Sequence, residues 1–565
     1  MNPELLLAHF DRVSDAPDAL PRLRRFVLDL SVRGKLVEQD PSDEPASDLI
    51  KRVQVKKVEI AKDGSVRKEK PLSPLANKLP FCIPATWRWS QIAEIGFLNP
   101  RNTAADEVQS SFVPMPLIST EYGVATTHDV RPWGEIKSGY THFAEGDVAL
   151  AKITPCFENG KSTVFRGLTG GIGAGTTELH VVRPVIVCPD YVLIFLKCPH
   201  FIEYGIPRMT GTAGQKRVPT EYFAYSPFPL PPLAEQHRIV AKVDELMSLC
   251  DRLEAAQREQ ETRRNCLTSA SNHHLNNGAN AEAFRKQAHF YLENLQRLTN
   301  RSEQVKELRQ TLLNLAVRGQ LVSQDTDDEP VVELLARNDK ERRMIAKEDR
   351  RADVDRQGLL AAESRWTIPP SWDWCALADL VLFIDYRGKT PTKTEQGVRL
   401  ITAKNVKRGF INIFPEEFLS EHNYRNWMTR GFPKEGDVLF TTEAPMGNAA
   451  VVRLPERFAL AQRVICFRSY GSVNPDFMVL QLLSEPFQSI LNKTATGLTA
   501  KGIKAAKLKR LPVATPPLTE QLRIVVKVNE LMTLCDALEA QLTAAQVEKH
   551  RLLEAILHQS LSVTA

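Results

Sequence analysis

Several stretches of this chain hold the residue types that phosphate chemistry uses. The string "YRGKTPTK" contains Gly388-Lys389-Thr390, the closing triplet of a phosphate-binding loop. The complete loop needs a glycine five residues before Gly388, so that backbone N–H groups can wrap the phosphates. Phe383 stands there, and the loop is rejected. Basic side chains cluster twice. Lys501, Lys504, Lys507, Lys509 and Arg510 lie together with no acid among them, and Arg387, Lys389, Lys393, Arg399, Lys404, Lys407 and Arg408 face only Asp385 and Glu395. Taken alone, such a run reads as a solvated face. A metal-dependent nuclease would need clustered carboxylates beside a lysine; Asp147 precedes Lys152, but no second acid lies between them. The strings at Asn99 ("NPRN") and Asn474 ("NPDF") lack the Pro-Pro-aromatic pattern of an amino-methyltransferase, and no G-x-S-x-G or H-E-x-x-H occurs. The chain is expected to catalyse nothing by itself.

The elements that carry these residues are written twice. "PPLAEQHRIVAKVDELMSLCDRLEA" (Pro231 to Ala255) returns as "PPLTEQLRIVVKVNELMTLCDALEA" (Pro516 to Ala540), matching at 19 of 25 positions with an offset of 285. "LRRFVLDLSVRGKLVEQDPSDEPASDLI" from Leu23 and "IPATWRW" from Ile83 return at the same offset, from Leu308 and Ile368. A period this long is a domain with accessories, not a solenoid. The flanks agree closely, whereas the middles share little beyond "EGDV" at Glu145–Val148 and Glu435–Val438. One scaffold carries two different payloads.

Within the repeated segment, Ile239, Val243, Leu246, Cys250 and Leu253 step by four and three, as do Ile524, Val528, Leu531, Cys535 and Leu538. That spacing predicts helices with one narrow apolar seam. A helix over about 234–268 would be roughly 50 Å long, and the two are expected to pair as an antiparallel coiled coil with pseudo-two-fold symmetry. "SASNHHLNNGANAEA" (Ser269–Ala283) reads as the joint between the copies. The middles hold short β-rich runs punctuated by Gly and Pro, the pattern of α+β globules. The expected organisation is a helical region over 1–80, a first globule over 81–230, a helix and joint over 231–285, a second helical region over 286–365, a second globule over 366–515 and a final helix over 516–565.

Bulk properties bound the function class. The 565 residues carry a net charge of +5, which neither demands nor excludes nucleic acid. No apolar run approaches a membrane span, the longest being "YVLIFL" at Tyr191–Leu196, and no signal peptide is evident at "MNPELLLAHF"; a cytoplasmic location is expected. The nine cysteines form no C-x-x-C pair, so neither zinc nor a disulfide framework is expected.

The duplicated E-Q-x-R-I-V-x-K-V-x-E-L string and "LAVRGQLV" closely resemble the repeated regions of specificity subunits from type I restriction–modification systems, over essentially the whole chain. The resemblance implies that each middle is a target recognition domain reading one half of a bipartite, asymmetric site in double-stranded DNA. It implies two methyltransferase subunits, bringing S-adenosylmethionine, docked on the repeated parts. Restriction subunits using ATP and Mg²⁺ are the further partners of such a system; this chain would hold no cofactor or metal. Within this reading, Arg and Lys side chains clamp phosphates or read guanine edges. The candidates in the first domain are Lys152 and, on the polar loop "RMTGTAGQKRV", Arg208, Thr210, Gln215, Lys216 and Arg217. In the second they are Arg387, Lys389, Lys404, Asn405, Lys407 and Arg408, with Thr496, Thr499, Lys501 and Lys504 on the counterpart loop "TATGLTAKGIK". Two rivals stand beside it: a two-headed adaptor binding two proteins without reading DNA, and a self-sufficient enzyme, against which the motif search counts.

Overall fold

The structure is a computed structural model and describes residues 18–62, 72, 74–75, 79–212, 214–276, 281–348, 357–360, 366–386, 391–497 and 501–562. The chain divides into two compact units, residues 1–260 with 545–565, and residues 261–544.

In the first unit, helix α1 (Ala19–Val32) buries Phe26, Val27, Leu28, Leu30 and Val32. It stops at Gly34, whose φ of +66° disfavours any residue with a Cβ. Space forbids one as well, since a methyl group there would stand 2.4 Å from Pro84 Cγ. After the acidic turn, α2 (Ala46–Lys62) buries Leu49, Ile50 and Val53, and its Lys57 donates to the carbonyls of Ala93 and Gly96 at 2.7 and 3.0 Å. The middle domain opens with β1 (Arg88–Gln91). One antiparallel sheet orders β2 (Gly96–Leu98), β9 (Leu179–Pro184), β6 (Val148–Ala151) and β7 (Ser162–Val164). A second orders β4 (Asp129–Pro132), β3 (Gln109–Val113), β8 (Ile172–Gly175) and β5 (Thr141–Ala144), with β3 and β8 parallel. The apolar run at Tyr191–Leu196 is the buried helix α3 (Pro189–Lys197). The domain closes with β10 (Pro227–Leu230), which pairs back on β1 with Arg88 opposite Leu230, and leads into α4 (Leu233–Asn276).

The second unit repeats this plan. Helices α5 (Ser302–Val317) and α6 (Val331–Glu348) precede β11 (Asp373–Ala376). One sheet orders β12 (Val381–Asp385), β18 (Val464–Ser469), β15 (Val438–Thr441) and β16 (Ala449–Val451). The other orders β14 (Phe418–Leu419), β13 (Val398–Ile401) and β17 (Phe458–Leu460), again with a parallel pair, β13 and β17. Helix α7 (Pro475–Leu483) occupies the place of α3, and β19 (Pro512–Thr515) pairs on β11 with Asp373 opposite Thr515 before α8 (Leu518–Ser562). Val148 stands opposite Val182, and Val438 opposite Phe467, so the central ladder keeps one register in both domains. Mixed α and β content is as expected.

The repeated "EGDV" is a structural device. Gly146 and Gly436 turn the chain at φ +82° and +85° into β6 and β15. The buried Asp147 caps its own turn at Ala144 N (2.7 Å) and takes Arg183 of β9 through Nε and Nη2, both at 2.8 Å. Asp437 does the same with Lys434 N and Arg468 of β18.

The repeated helix string is equally structural. Glu235, in the first turn of α4 and 1% exposed, accepts from Trp87 Nε1 at 2.9 Å and Gln39 Nε2 at 2.7 Å. Gln236 accepts from Cys188 N and donates to Pro231 O, both at 2.9 Å. Arg238 forks onto Asp43. In the second unit Glu520 takes Gln324, Gln521 takes Asn474 N and gives to Ser472 O, and Arg523 forks onto Asp328.

One sequence expectation changes. The segment Ser269–Ala283 is not a free joint, because α4 runs on to Asn276 and a further helix covers Ala281–Glu293; 277–280 lie outside the described residues. Burial of Thr268, Ser271, Asn272 and Leu275 outweighs the poor helix propensity of Ser and Asn. The first positions of each seam lie in the core of their own unit. Ile239 and Val243 are fully buried in the first unit's own core with Val27, Leu28 and Val32, and the buried third position is Met247, with Leu246 only partly covered. Ile524 and Val528 lie in the second unit's core. Beyond the core, Arg24 of α1 bridges Asp251 and Glu254 of α4, and Arg309 of α5 bridges Asp536 and Glu539 of α8. The later seam residues Cys250, Leu253, Leu531 and Leu538 are half-buried, and Cys535 is buried. Among the described residues no helix is long and apolar enough to cross a membrane.

Two stability outcomes are expected. Gly123, at φ +79° with open space around it, isolates the conformational cost, so Gly123→Ala should lose roughly 1–2 kcal/mol. Gly34→Ala adds the collision with Pro84 and should lose roughly 2–5 kcal/mol in all; equal melting shifts for the two variants would refute the role given to Pro84. Asp147→Ala leaves Arg183 with Asn102 and solvent and should cost roughly 1–3 kcal/mol, whereas Asp147→Ala with Arg183→Leu should cost less, as denaturant titration will show.

Candidate nucleic-acid interface

In each middle domain three backbone segments converge beside the central ladder. The first follows the inner strand: Lys152-Ile153-Thr154-Pro155 after β6, and Thr442-Glu443-Ala444-Pro445 after β15, each with a cis-proline bond. The second precedes the neighbouring strand: Thr177-Glu178 before β9, and Gln462-Arg463 before β18. They are tied alike, Lys152 N to Glu178 O at 2.9 Å and Thr442 N to Arg463 O at 3.0 Å. The third is the glycine-containing loop, whose ends pair hairpin-fashion; 213 and 498–500 within it lie outside the described residues. Thr210 and Arg217 exchange both backbone bonds at 3.0 and 2.8 Å, and Thr496 and Gly502 do so at 2.9 and 3.0 Å. The hairpin then docks on the first segment, Val218 N to Lys152 O at 2.8 Å and Ile503 N to Thr442 O at 3.1 Å.

The convergence leaves a cleft in each domain. In the first, about 340 Å³, the lining includes Asn99, Arg101, Tyr140, Lys152, Thr177 and Thr220. His142 and His180 also line it, and burial holds both imidazoles below their ordinary range; His180 lies against Val218 O and Phe223. Both are therefore neutral near pH 7, and Arg101 and Lys152 supply the positive charge. The cleft in the second domain, about 270 Å³, is lined by Lys393, Thr402, Lys404, Ala444, Gln462 and Arg463, among others.

The structure therefore brings together Lys152, Thr210, Gln215, Lys216 and Arg217 in the first domain, and Lys404, Thr496, Lys501 and Lys504 in the second. Gln215, Lys216, Lys404, Lys501 and Lys504 are exposed. Arg217 is committed: its Nε and Nη2 hold Glu178 at 2.9 and 2.8 Å, which lowers the Glu178 carboxyl below the usual range. Other candidates are placed differently. Arg208 lies over the rings of Tyr204 and Tyr222 and bonds Tyr204 O, lining a separate aromatic cavity. Asn405 is buried at 1% exposure and closes its own loop, accepting from Thr402 and donating to Asn412 O and Pro415 O. Arg408 turns to Leu483 O and Gln310, and Lys407 bonds Phe410 O through its backbone. Arg387, Lys389 and Thr499 lie outside the described residues. Sequence reasoning named Lys393 only within the basic run and missed Arg101, Gln462 and Arg463. A signal for the last two existed: continued to β9 and β18, the 285-residue offset sets Thr177-Glu178 on Gln462-Arg463 and Arg183 on Arg468. Among the described residues no group of three or more His, Cys, Asp or Glu side chains is placed to hold a metal ion.

Comparisons with known proteins bear on these two domains and their helices. Residues 397–549 match the family model described as the type I restriction modification DNA specificity domain. The EcoAI type I restriction enzyme specificity subunit of Escherichia coli is 37% identical over 555 residues, covering 94% of this chain and 92% of that one. The EcoEI specificity subunit, also of Escherichia coli, is 34% identical over 569 residues, covering 96% and 94%. The crystal structure of the HsdS subunit from Thermoanaerobacter tengcongensis is 18% identical and covers 86% of this chain and 98% of its own, with a TM-score of 0.47. Two domains with one register and unlike clefts, on closely repeated flanks, are thus accompanied by specificity-subunit relatives covered over more than nine tenths of their length, and the chain belongs to the specificity subunits of type I restriction–modification systems.

Proposed function

We propose that each middle domain reads one half of a bipartite, asymmetric site in double-stranded DNA through its cleft and hairpin, and that the chain carries no catalytic step of its own. One observation supports this above the others: the same backbone frame is built twice, yet the side chains facing the two clefts differ. A homodimer of identical readers suits a palindrome; two unlike readers on one chain suit an asymmetric site. The repeated flanks present two equivalent docking surfaces, which fits two methyltransferase subunits bringing S-adenosylmethionine. ATP- and Mg²⁺-dependent restriction subunits would join through them.

The long helices would act as the ruler. Helix α4 has 44 residues, about 66 Å of rise, more than the roughly 34–36 Å that separates half-sites one helical turn apart.

Co-expressed with the methyltransferase encoded beside it, the chain should be recovered as one copy with two methyltransferase copies by native mass spectrometry, and methylome sequencing should return a bipartite site. A complex with a partner lacking methyl-transfer chemistry would instead favour a two-headed adaptor. Four residues inserted after Arg258 in α4 and after Thr543 in α8 add about 6 Å of helix. The methylated site should then keep both half-sites and gain roughly two base pairs of spacer; an unchanged spacer would remove the ruler role.

A further inference from the structure

The duplication places a comparison inside one molecule. Both domains hold the same frame, yet on the reading above they face different half-sites. A position that does the same physical work at both half-sites keeps its residue type. A position that reads bases changes it.

The equivalences follow from backbone bonds, not from sequence alignment. The bond from Lys152 N to Glu178 O matches that from Thr442 N to Arg463 O. The hairpin pair Thr210 and Arg217 matches Thr496 and Gly502. After β6 or β15 stands Lys152 in one domain, lining its cleft, and the buried Thr442 in the other. The residue before the neighbouring strand, β9 or β18, is Glu178 in one domain and Arg463, which lines its cleft, in the other, and the hairpin residue is Arg217 or Gly502. All three change charge. Immediately before the last of these, the hairpin carries Lys216 in one domain and Lys501 in the other, both exposed.

The ion pairs change accordingly. In the first domain Glu178 engages Arg217, which leaves Lys152 on the cleft wall beside Arg101. In the second, Gly502 offers no side chain, and Arg463 lines the cleft at 3.7 Å from Glu443, its one ion pair among the described residues.

Resting on the DNA-reading assignment, we infer that Lys216 and Lys501 are the positioning pair, each neutralising a backbone phosphate at its own half-site, while Lys152 in the first domain and Arg463 in the second are specificity-determining and donate to base edges. A phosphate contact lowers affinity for every sequence when removed, and takes about one unit from the slope of log affinity against log salt. A guanidinium on a guanine edge discriminates one base pair, by about 10- to 100-fold.

The test uses the full chain in complex with its methyltransferase partner, with duplexes carrying the methylome-defined site and single-base variants of it. Lys501→Ala should weaken binding to site and non-site duplexes alike, lower the salt slope by about one and leave the methylated sequence unchanged, and Lys216→Ala should do the same. Arg463→Ala should relax one base pair in one half-site by about 10- to 100-fold and leave the other half-site intact. Lys152→Ala should relax a base pair in the opposite half-site. Arg463 and both hairpin lysines are solvent-facing, and melting of each variant complex at the wild-type temperature separates lost contacts from lost folding. Altered sequence preference in Lys501→Ala, or uniform weakening by Arg463→Ala, overturns the partition while the DNA-reading assignment stands. A wild-type complex that retains no duplex overturns both.

Discussion

The first turn of each long helix is the constraint on which the rest depends. Glu235 and Gln236 are both buried where the helix begins, and a buried polar group without partners costs several kcal/mol. Their partners come from separate stretches of chain: Gln39 from the acidic turn, Trp87 from the approach to the middle domain, and Cys188 from the start of its core helix. Burial raises the Glu235 carboxyl, against the opposing Trp87 and Gln39 hydrogen bonds, while the helix N-terminus favours its charge. The dipeptide is satisfied only when flank, domain and helix are in place together. Glu520 and Gln521 repeat the arrangement with Gln324, Asn474 and Ser472.

That joint frees the middle domains to diverge. Each leaves and returns through one short ladder, β1 with β10 and β11 with β19, so the flanks meet the same two strands whatever lies between. Inside, the central sheet is pinned by Asp147 with Arg183 and by Asp437 with Arg468, and backbone ladders make few demands on side-chain identity beyond alternation. Segments between the strands can then lengthen or shorten. The stretch between β6 and β9 has 27 residues, 152–178, and its counterpart 22, 442–463, without disturbing the register. Recognition surfaces can change while the scaffold is held.

The sequence by itself determined the duplication, the 285-residue offset, the two long helices, the α+β character of the middles and the family, because these rest on local periodicity and on residues that recur. It also marked the glycine-containing loops as counterparts. Only the tertiary structure decided which charges face a cleft. Arg208, Arg217 and Arg408 are as basic as Lys152 and Lys216 in the string, but tyrosine rings, Glu178 and Leu483 O engage them. It also placed Asn405 inside, and it divided the apolar seam between each unit's core and the flank helices. The physical reason is range: helix period and turn chemistry act within a few residues, whereas the partner of a charge or an apolar stripe comes from any part of the chain that folding brings within a few ångströms.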